Sequence, residues 1–433
     1  MGLEAAHSCF RPIGILPMTT HLDVLIVSHY FWPENLRINQ VVDDLRSAGA
    51  RVTVLTGHPN YPDGKTYPGY RPWTTAWQRH PHGYDILRVP VVPRGRSGAV
   101  RLFLNYVTFV LSGATIGAWM LRRRRFDVQF VYCTTPVIQG LVALCLKRTY
   151  GLPVVLWVQD IWPRALAATG YIRNSAVLGV IGRIVSAIYR GSDLVLGQSH
   201  SFVRLITPHA GGTPVGYFPN PGEHPVDATP AERLDPKKFN VVFAGNIGRA
   251  QAMETVVAAA SLLADRREIA LTIFGSGSMR DWMHEQVTAR GLDNITLPGR
   301  VPPSEMPGIY AECDALLLPL VDDPDVAETV PSKLQSYFGA GRPIIAAVNG
   351  EAARIVVEAG AGLSCPAEDP EALAAAIRLL CDLPPRAREK MSRSALQYFH
   401  REYHPVRLAN TLARLLSELA SQVRRARREV GGF

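Results

Sequence analysis

Short apolar runs recur along the chain, and between them lie longer stretches in which apolar residues return every three or four positions. The first series is LDVLIVS (22–28), RVTVLTG (51–57), DILRVPV (85–91), DVQFVYC (127–133), LPVVLWV (152–158) and DLVLGQS (193–199). A strand that is apolar on both faces is covered on both faces. The series therefore predicts a parallel sheet between layers of helix, a doubly wound α/β domain. The helical half of the pattern is clearest after the first run, where Ile38, Val41, Val42 and Leu45 fall at i, i+3, i+4 and i+7. Asn35 is placed to cap that helix and Gly49 to end it.

A second series, FNVVFAG (239–245), IALTIFG (269–275), NITLPGR (294–300), DALLLPL (314–320) and RPIIAAV (342–348), predicts a second parallel sheet. Between the two, PNPGEHPVDATPAERLDPKK (219–238) is dense in proline and charge and has no apolar period, as a linker would. The chain of 433 residues is about twice the usual single-domain length, which agrees with two cores. The expected organisation is a disordered extension at 1–20 with Met18 as a candidate start, a first domain at 21–220, a linker at 221–238, a second domain at 239–395, and an amphipathic helix with a basic tail at 396–433 that crosses back to brace the first domain.

Composition narrows the setting. With 47% apolar and 19% charged residues the chain is globular, and its six cysteines are scattered without a C-x-x-C pair, which fits a reduced cytosolic protein. Residues 1–20 lack a basic start joined to a continuous apolar core, which argues against a secretory signal. The net charge of +9 would suit nucleic acid or an anionic membrane, but no nucleic-acid motif accompanies it. Arginines group at Arg94, Arg96 and Arg101, at Arg122 to Arg125, and at Arg424, Arg425, Arg427 and Arg428.

The first two groups bracket LFLNYVTFVLSGATIGAWML (102–121), which as a helix rising ~1.5 Å per residue could just cross a bilayer. It reads as a buried core helix, a transmembrane span, or a helix lying in the membrane interface. A span would leave the next strand run, FDVQFVYCTTP, on the wrong side. Each flanking arginine adds roughly 1 kcal/mol of attraction to an anionic leaflet. Peripheral contact with the cytoplasmic face of the cell membrane is the preferred reading.

Open parallel sheets bind ligands beyond the carboxyl ends of their strands. The turn HYFWPENLRIN puts Glu34, Asn35 and Arg37 there, and the long loop TGHPNYPDGKTYPGY puts His58, Asn60 and Tyr61 at the same edge. The bland alternative is a solvated Glu34–Arg37 ion pair.

The blocks HYFWPENLRIN, VTVLTGHPNYPDGK, VLWVQDIWP, FAGNIGRAQAMETV, IFGSGSM, LPGRVPPSEMPGIYAECDALLLPL and ETVPSKLQSYFGAGRPII, in that order, resemble the retaining glycosyltransferases of family 4. The likeness is greatest to the bacterial exopolysaccharide and O-antigen branch that includes N-acetyl-L-fucosamine transferases. It implies a GT-B fold, two Rossmann-like domains facing a central cleft, and transfer from a nucleotide sugar, with a UDP derivative of an N-acetylated sugar as the leading donor. No G-x-G-x-x-G fingerprint is present, which argues against a nicotinamide or flavin enzyme.

The resemblance assigns residues. Gly245 and Gly248 would bring backbone N–H groups to the diphosphate. Asn246 and Gln251 stand where the family usually has arginine and lysine, so positive charge must come from Arg249 or Lys333. Ser332-Lys333-Leu334-Gln335 resembles a capping box that would aim Lys333 and a helix dipole at one spot; a surface lysine is the alternative. Glu328 matches the first glutamate of the family's E-x7-E motif and would face the donor sugar, while Ser336 replaces the second and, with Ser332, would hydrogen-bond the nucleotide. Gly275, Ser276 and Gly277 permit close approach, and Arg300 with Val301 begins the base-binding segment.

Gln159 and Asp160 stand in a loop that often carries a histidine, so Asp160 is either an acceptor- or sugar-orienting group or a helix cap. Glu328, Lys333 and Asp160 are thus the catalytic candidates, and Glu34, Asn35, Arg37, His58, Asn60 and Tyr61 those for acceptor or sugar. A donor phosphate oxygen is implied to take the acceptor proton, so no protein nucleophile is assigned. No metal or cofactor is expected beside the donor, because His29, His58, His200 and His209 are separated. The acceptor implied by the apolar helix and arginine clusters is a saccharide on polyprenyl diphosphate. Rival readings are a sugar-nucleotide epimerase of the same shape and a non-catalytic nucleotide-sugar-binding membrane protein.

Overall fold

The computed structural model describes residues 22–95, 98–168, 174–226 and 229–430; the expected extension at 1–20 and Arg96 lie outside them. The first sheet comprises β1 (Asp23–Val27), β2 (Arg51–Thr56), β3 (Ala76–Arg79), β4 (Asp85–Arg88), β5 (Val128–Cys133), β6 (Val154–Val158), β7 (Leu194–Gly197) and β8 (Val215–Tyr217), in the order β3-β4-β2-β1-β5-β6-β7-β8. The second comprises β9 (Phe239–Asn246), β10 (Ile269–Ser276), β11 (Ile295–Gly299), β12 (Ala315–Pro319), β13 (Ile344–Ala347) and β14 (Gly362–Cys365), in the order β11-β10-β9-β12-β13-β14.

Every apolar run holds a strand. The strands that the runs do not announce, β3, β8 and β14, all lie at sheet edges. An edge strand is open to water on one flank, so its sequence need not be continuously apolar: β3 alternates half-buried and exposed residues, and β8 is half-buried throughout. β3 also corrects the expectation of a wholly parallel sheet, since it pairs antiparallel with β4.

The two faces of the second sheet follow from side-chain alternation. Val241, Phe243, Ile273 and Leu317 pack on one side with the helices Met253–Leu262 and Pro370–Asp382. Val242, Ala244, Leu316 and Leu318 pack on the other with the helix Ser332–Ala340.

The helix Arg37–Ser47 buries Ile38, Val41, Val42 and Leu45 as its spacing requires, and Gly49 follows it at φ +97°. Asn35 does not cap it. The cap position is Leu36, in extended conformation with no side-chain cap bond. Asn39 orders this turn instead, accepting from Trp32 N (3.1 Å) and donating to the Glu34 carbonyl (2.6 Å).

The described residues form two compact units, those within 22–131, 141–155 and 406–430 in one, and those within 132–140 and 156–405 in the other. The long helix Pro405–Val430 is joined to the first unit by Arg424 on Asp127 (2.7 Å) and by Arg427 on the Gly151 carbonyl. In the second unit the segment leading into β9 is tied down by Glu312, whose carboxylate accepts from the backbone N–H groups of Glu232, Arg233 and Leu234.

The apolar segment is helical from Ala99 to Ser112, widens into a π-turn at Gly113–Gly117, and resumes at Ala118–Leu121. Val100–Leu121 is long and apolar enough to cross a membrane by length and composition. Gly113 and Gly117 bring its backbone against Val142 and Leu55, and Tyr106, Phe109 and Leu121 are buried with them. Its opposite face presents Phe103 (61% exposed), Leu111 and Trp119 (60% exposed).

Candidate active site

At the carboxyl edge of the second sheet β9 and β10 run in register to their last residues, Gly245 opposite Gly275 and Asn246 opposite Ser276. Both glycines have φ values that side chains disfavour, +143° and +139°. A Cβ on Gly275 would strike the Gly245 carbonyl, and one on Gly277 would strike the Ile247 backbone. The glycines thus let two strand ends lie in backbone contact. Beyond them Ile247 N bonds Ser276 O (2.9 Å) and Met279 N bonds Ile247 O (3.0 Å), which closes the turn. Gly248 leads into a 3₁₀ turn at Arg249–Gln251, with Arg249 exposed.

Lys333 lies across this floor. Its Cε occupies the space a Gly245 Cβ would need, and Nζ sits 4.1 Å from the Phe243 ring centroid. It is the second residue of the helix Ser332–Ala340, which Tyr337 fastens to β9 by a hydroxyl bond to Ala244 N (3.2 Å). The capping box does not form: Pro331 holds the cap position, so Ser332 is already inside the helix and no side chain caps it. Lys333 is nonetheless directed to the glycine turn, because the strand order places β9 beside β12, from which its helix descends. Burial draws its pKa down to about 8, and among the described residues the ammonium makes no hydrogen bond or ion pair.

Glu328 ends the short helix Pro324–Ala327 and is half-buried. Its carboxylate lies 3.8 Å from Arg204, and its carbonyl accepts from Ser199 Oγ (3.2 Å). The same loop is fixed by Asp325 on Arg164 (2.7 Å) and by Gly350, whose Cβ would strike the Ala327 carbonyl. Arg204 and the buried Glu351, which accepts from Ser201 Oγ (3.0 Å), carry no signal in the sequence. Arg300 is exposed, whereas Val301 packs partly into the core; Ser332 is exposed and Ser336 half-buried.

Asp160 is neither exposed nor a helix cap. Its Oδ2 accepts from Thr135 N (2.7 Å) and Thr135 Oγ1 (2.9 Å), and burial raises its pKa. The next helix begins only at Arg164. Beside it Asn220 Nδ2 bridges the amide oxygens of Gln159 (2.8 Å) and Gln198 (3.2 Å).

In the first unit, the turn after β1 is organised around Glu34, which is 1% exposed. The solvated ion pair is absent: Arg37 bonds Gln40 (2.9 Å) instead. Glu34 Oε1 accepts from Asn60 N and Tyr61 N (2.7 Å each) and Oε2 from Phe31 N (2.9 Å). Burial pushes its carboxyl up to about 7 against the pull of those three N–H groups. Asn60 and His58 are likewise engaged within the loop, Asn60 with Arg94 N (3.0 Å) and His58 Nε2 with the Thr74 carbonyl (2.8 Å). Tyr61 stays exposed under the Arg94 guanidinium, 5.1 Å from its centroid. Asn35 is exposed and makes no cap. Buried Arg88, unmarked in the sequence except as a base in an apolar run, bonds the Gly57 carbonyl (2.9 Å) and the Trp32 carbonyl.

Glu34 therefore positions the 58–61 loop. Glu34→Gln turns an amide NH₂ toward the Phe31 N–H, leaving a buried donor unmatched at a cost of about 1–3 kcal/mol. The expected result in urea denaturation is a lower midpoint at unchanged slope; an unchanged midpoint would refute the positioning role.

A cavity of about 340 Å³ lies elsewhere in the first unit, between Leu121, Phe126 and Tyr150 and the returning helix at Val423 and Arg427, and contains none of these motif residues.

Comparison with known proteins agrees with this architecture. Residues 35–221 match the glycosyl transferase 4-like domain and residues 227–398 the glycosyl transferases group 1 family. The probable glycosyltransferase WbjE of Pseudomonas aeruginosa is 27% identical over 310 residues, 69% of this chain and 77% of that one. A protein of Escherichia coli K12 named for colanic acid biosynthesis, the glycosyl transferase WcaI, is 24% identical over 320 residues, 70% of this chain and 76% of its own. In fold, the chain resembles sucrose-phosphate synthase from Thermosynechococcus elongatus, with TM-score 0.70, 18% identity, and coverage of 93% and 100%. It also resembles Anabaena Alr3699/HepE solved in complex with UDP, with TM-score 0.63, 14% identity, and coverage of 92% and 100%. With a 4-like domain followed by a group 1 domain on two parallel-sheet α/β folds, the chain belongs to the glycosyltransferases of GT-B architecture.

Proposed function

We propose that this protein transfers a sugar, with retention at the anomeric carbon, from a UDP-linked N-acetylated hexose or deoxyhexose to a saccharide carried on polyprenyl diphosphate, as a step in cell-surface polysaccharide synthesis. The observation that carries the reading is Lys333, a half-buried cation laid over the glycine floor with no anion beside it among the described residues. A desolvated ammonium is costly unless an anion joins it, so the site is built to receive one. The UDP held by the Anabaena structure and the colanic acid name of the E. coli relative support a uridine donor and a polysaccharide product.

In the transfer, the bond from the anomeric carbon to the diphosphate oxygen breaks and the acceptor hydroxyl oxygen bonds that carbon on the same face. The hydroxyl proton passes to the departing phosphate oxygen. Charge thus accumulates on the diphosphate, where Lys333 and the backbone N–H groups of the Ser332–Ala340 helix start would stabilise it. Arg249 adds solvent-exposed charge at the glycine turn. Glu328, held by Arg204, would face the donor sugar, with Ser336 on the ribose and the Arg300–Val301 segment at the base.

The exposed apolar face at Phe103, Leu111 and Trp119 would rest in the membrane interface, with Arg122 stacked 3.9 Å over Trp119 at its end. The test supplies labelled UDP-, GDP- and dTDP-sugars with anionic vesicles bearing polyprenyl-diphosphate saccharides. Label is expected to pass from the UDP-sugar into lipid, and Phe103→Glu with Trp119→Glu to abolish this while sparing a short-chain soluble acceptor. A changed nucleotide sugar formed without acceptor would instead identify an epimerase, and donor binding without turnover a sensor.

A further inference from the structure

The hairpin turn between β3 and β4 reads His80-Pro81-His82-Gly83, with Gly83 at φ +86° turning the chain back. Together with Asp43 of the helix Arg37–Ser47, it gathers two imidazoles and a carboxylate, each offering one ligand atom and all three atoms within 4.8 Å of one another. Asp43 Oδ1 stands 2.9 Å from His82 Nδ1. That oxygen nevertheless has no hydrogen-bond partner. The separation lies in the hydrogen-bond range, but the pair does not form a hydrogen bond. With a second imidazole alongside, these atoms form a set that one cation can share after a small adjustment.

The surroundings fix the ligands. His80 is 5% exposed, stacked on Tyr84 with centroids 4.3 Å apart and edge-on to Trp32 at 4.8 Å. Its Nδ1 accepts from His82 N at the long distance of 3.2 Å, and a cation bound there takes that lone pair in place of the N–H. His82 is exposed and closes the cluster from the solvent side. Of the nearby cations, Arg79 is bound to Asp85 (2.7 Å) and Arg46 lies over Tyr84, 5.3 Å from its centroid. The sequence gives no such cluster, because Asp43 is far from the pair along the chain; only the packing of helix on hairpin completes the set.

We propose that Asp43, His80 and His82 bind a zinc ion, with water in the fourth position, tying the β3–β4 hairpin to the Arg37–Ser47 helix. Imidazole with carboxylate is a donor set suited to zinc rather than to magnesium or calcium, which prefer oxygen alone. The ion stiffens the hairpin whose β4 carries Arg88, the side chain that holds the Trp32 and Gly57 carbonyls.

Tag-free protein stripped with chelator is titrated with zinc against a chromophoric competitor, and melted with and without the metal. One zinc per chain and a raised Tm are expected for the wild type. His82→Asn, whose side chain is exposed and leaves the fold intact, and Asp43→Asn should each weaken binding at least about tenfold and remove the Tm rise. Wild type that takes up no zinc at micromolar concentration, or variants that bind it as tightly, would overturn the assignment. Because the readouts are binding and melting, this result stands apart from that of the transfer assay.

Discussion

Lys333→Met is expected to lower kcat/KM for sugar transfer on the order of 10²–10³-fold, the usual consequence of losing one group that stabilises developing negative charge. The same change is expected to raise Tm. Burial lowers the lysine pKa from 10.5 to about 8, so the unfolded chain binds the proton more tightly than the folded one. Below pH 8 that difference is a full penalty of about 3 kcal/mol on the folded state, at 1.36 kcal/mol per pK unit. Between pH 8 and 10.5 the penalty is progressively relieved as pH rises, because the folded form sheds its proton first. A methionine carries no such penalty, so activity and stability should move in opposite directions. This opposition separates a functional lysine from a structural one.

The pH profile gives a second view. For the free enzyme kcat/KM should fall as pH rises through about 8, where the ammonium is lost. With donor bound, the diphosphate favours the charged form, so kcat should hold to higher pH. A Lys333→Met enzyme with wild-type kcat/KM, or a kcat/KM flat across pH 8 to 9.5, would remove Lys333 from the chemistry.

Gly275→Ala is expected to cost on the order of 3–5 kcal/mol and to abolish nucleotide binding, because backbone strain and an unrelieved clash add. Its φ of +139° disfavours any side chain, and the new methyl would meet the carbonyl of Gly245, its register partner. The two strands cannot part there without breaking the turn that lies beneath Lys333. Gly291→Ala is the control. It too has a positive φ, +58°, but open space around it, so its expected cost is only about 1 kcal/mol. Thermal melts and nucleotide titration compare them. Equal losses in the two variants would mean that strain alone, and not the close approach of β9 to β10, sets the requirement for glycine at 275.

These residues mark how far the site was legible in one dimension. Gly275 and Gly277 stood out because backbone that must touch backbone excludes a Cβ, and Gly245 because a side chain there would meet Lys333. Lys333 was legible as a basic residue at a helix start, though for a mistaken local reason, since Pro331 rather than Ser332 holds the cap. The roles of Glu34, His58 and Asn60 were less legible. Polar groups on a loop at a sheet's carboxyl edge look alike in sequence whether they face a ligand or, as these do, one another.

By itself the sequence determined two largely parallel sheets, the interior strands and the stripe of the Arg37–Ser47 helix, because apolar periodicity is a local property written residue by residue. Tertiary structure alone decided the edge strands β3, β8 and β14, the buried Arg88, the anchoring of Asp160 to Thr135, the Lys333–Gly245 contact and the Asp43–His80–His82 cluster. Each of these depends on which strand lies beside which, and on how much water is left at a flank. Strand order brings together residues tens to hundreds of positions apart, and no periodicity within either segment records the meeting.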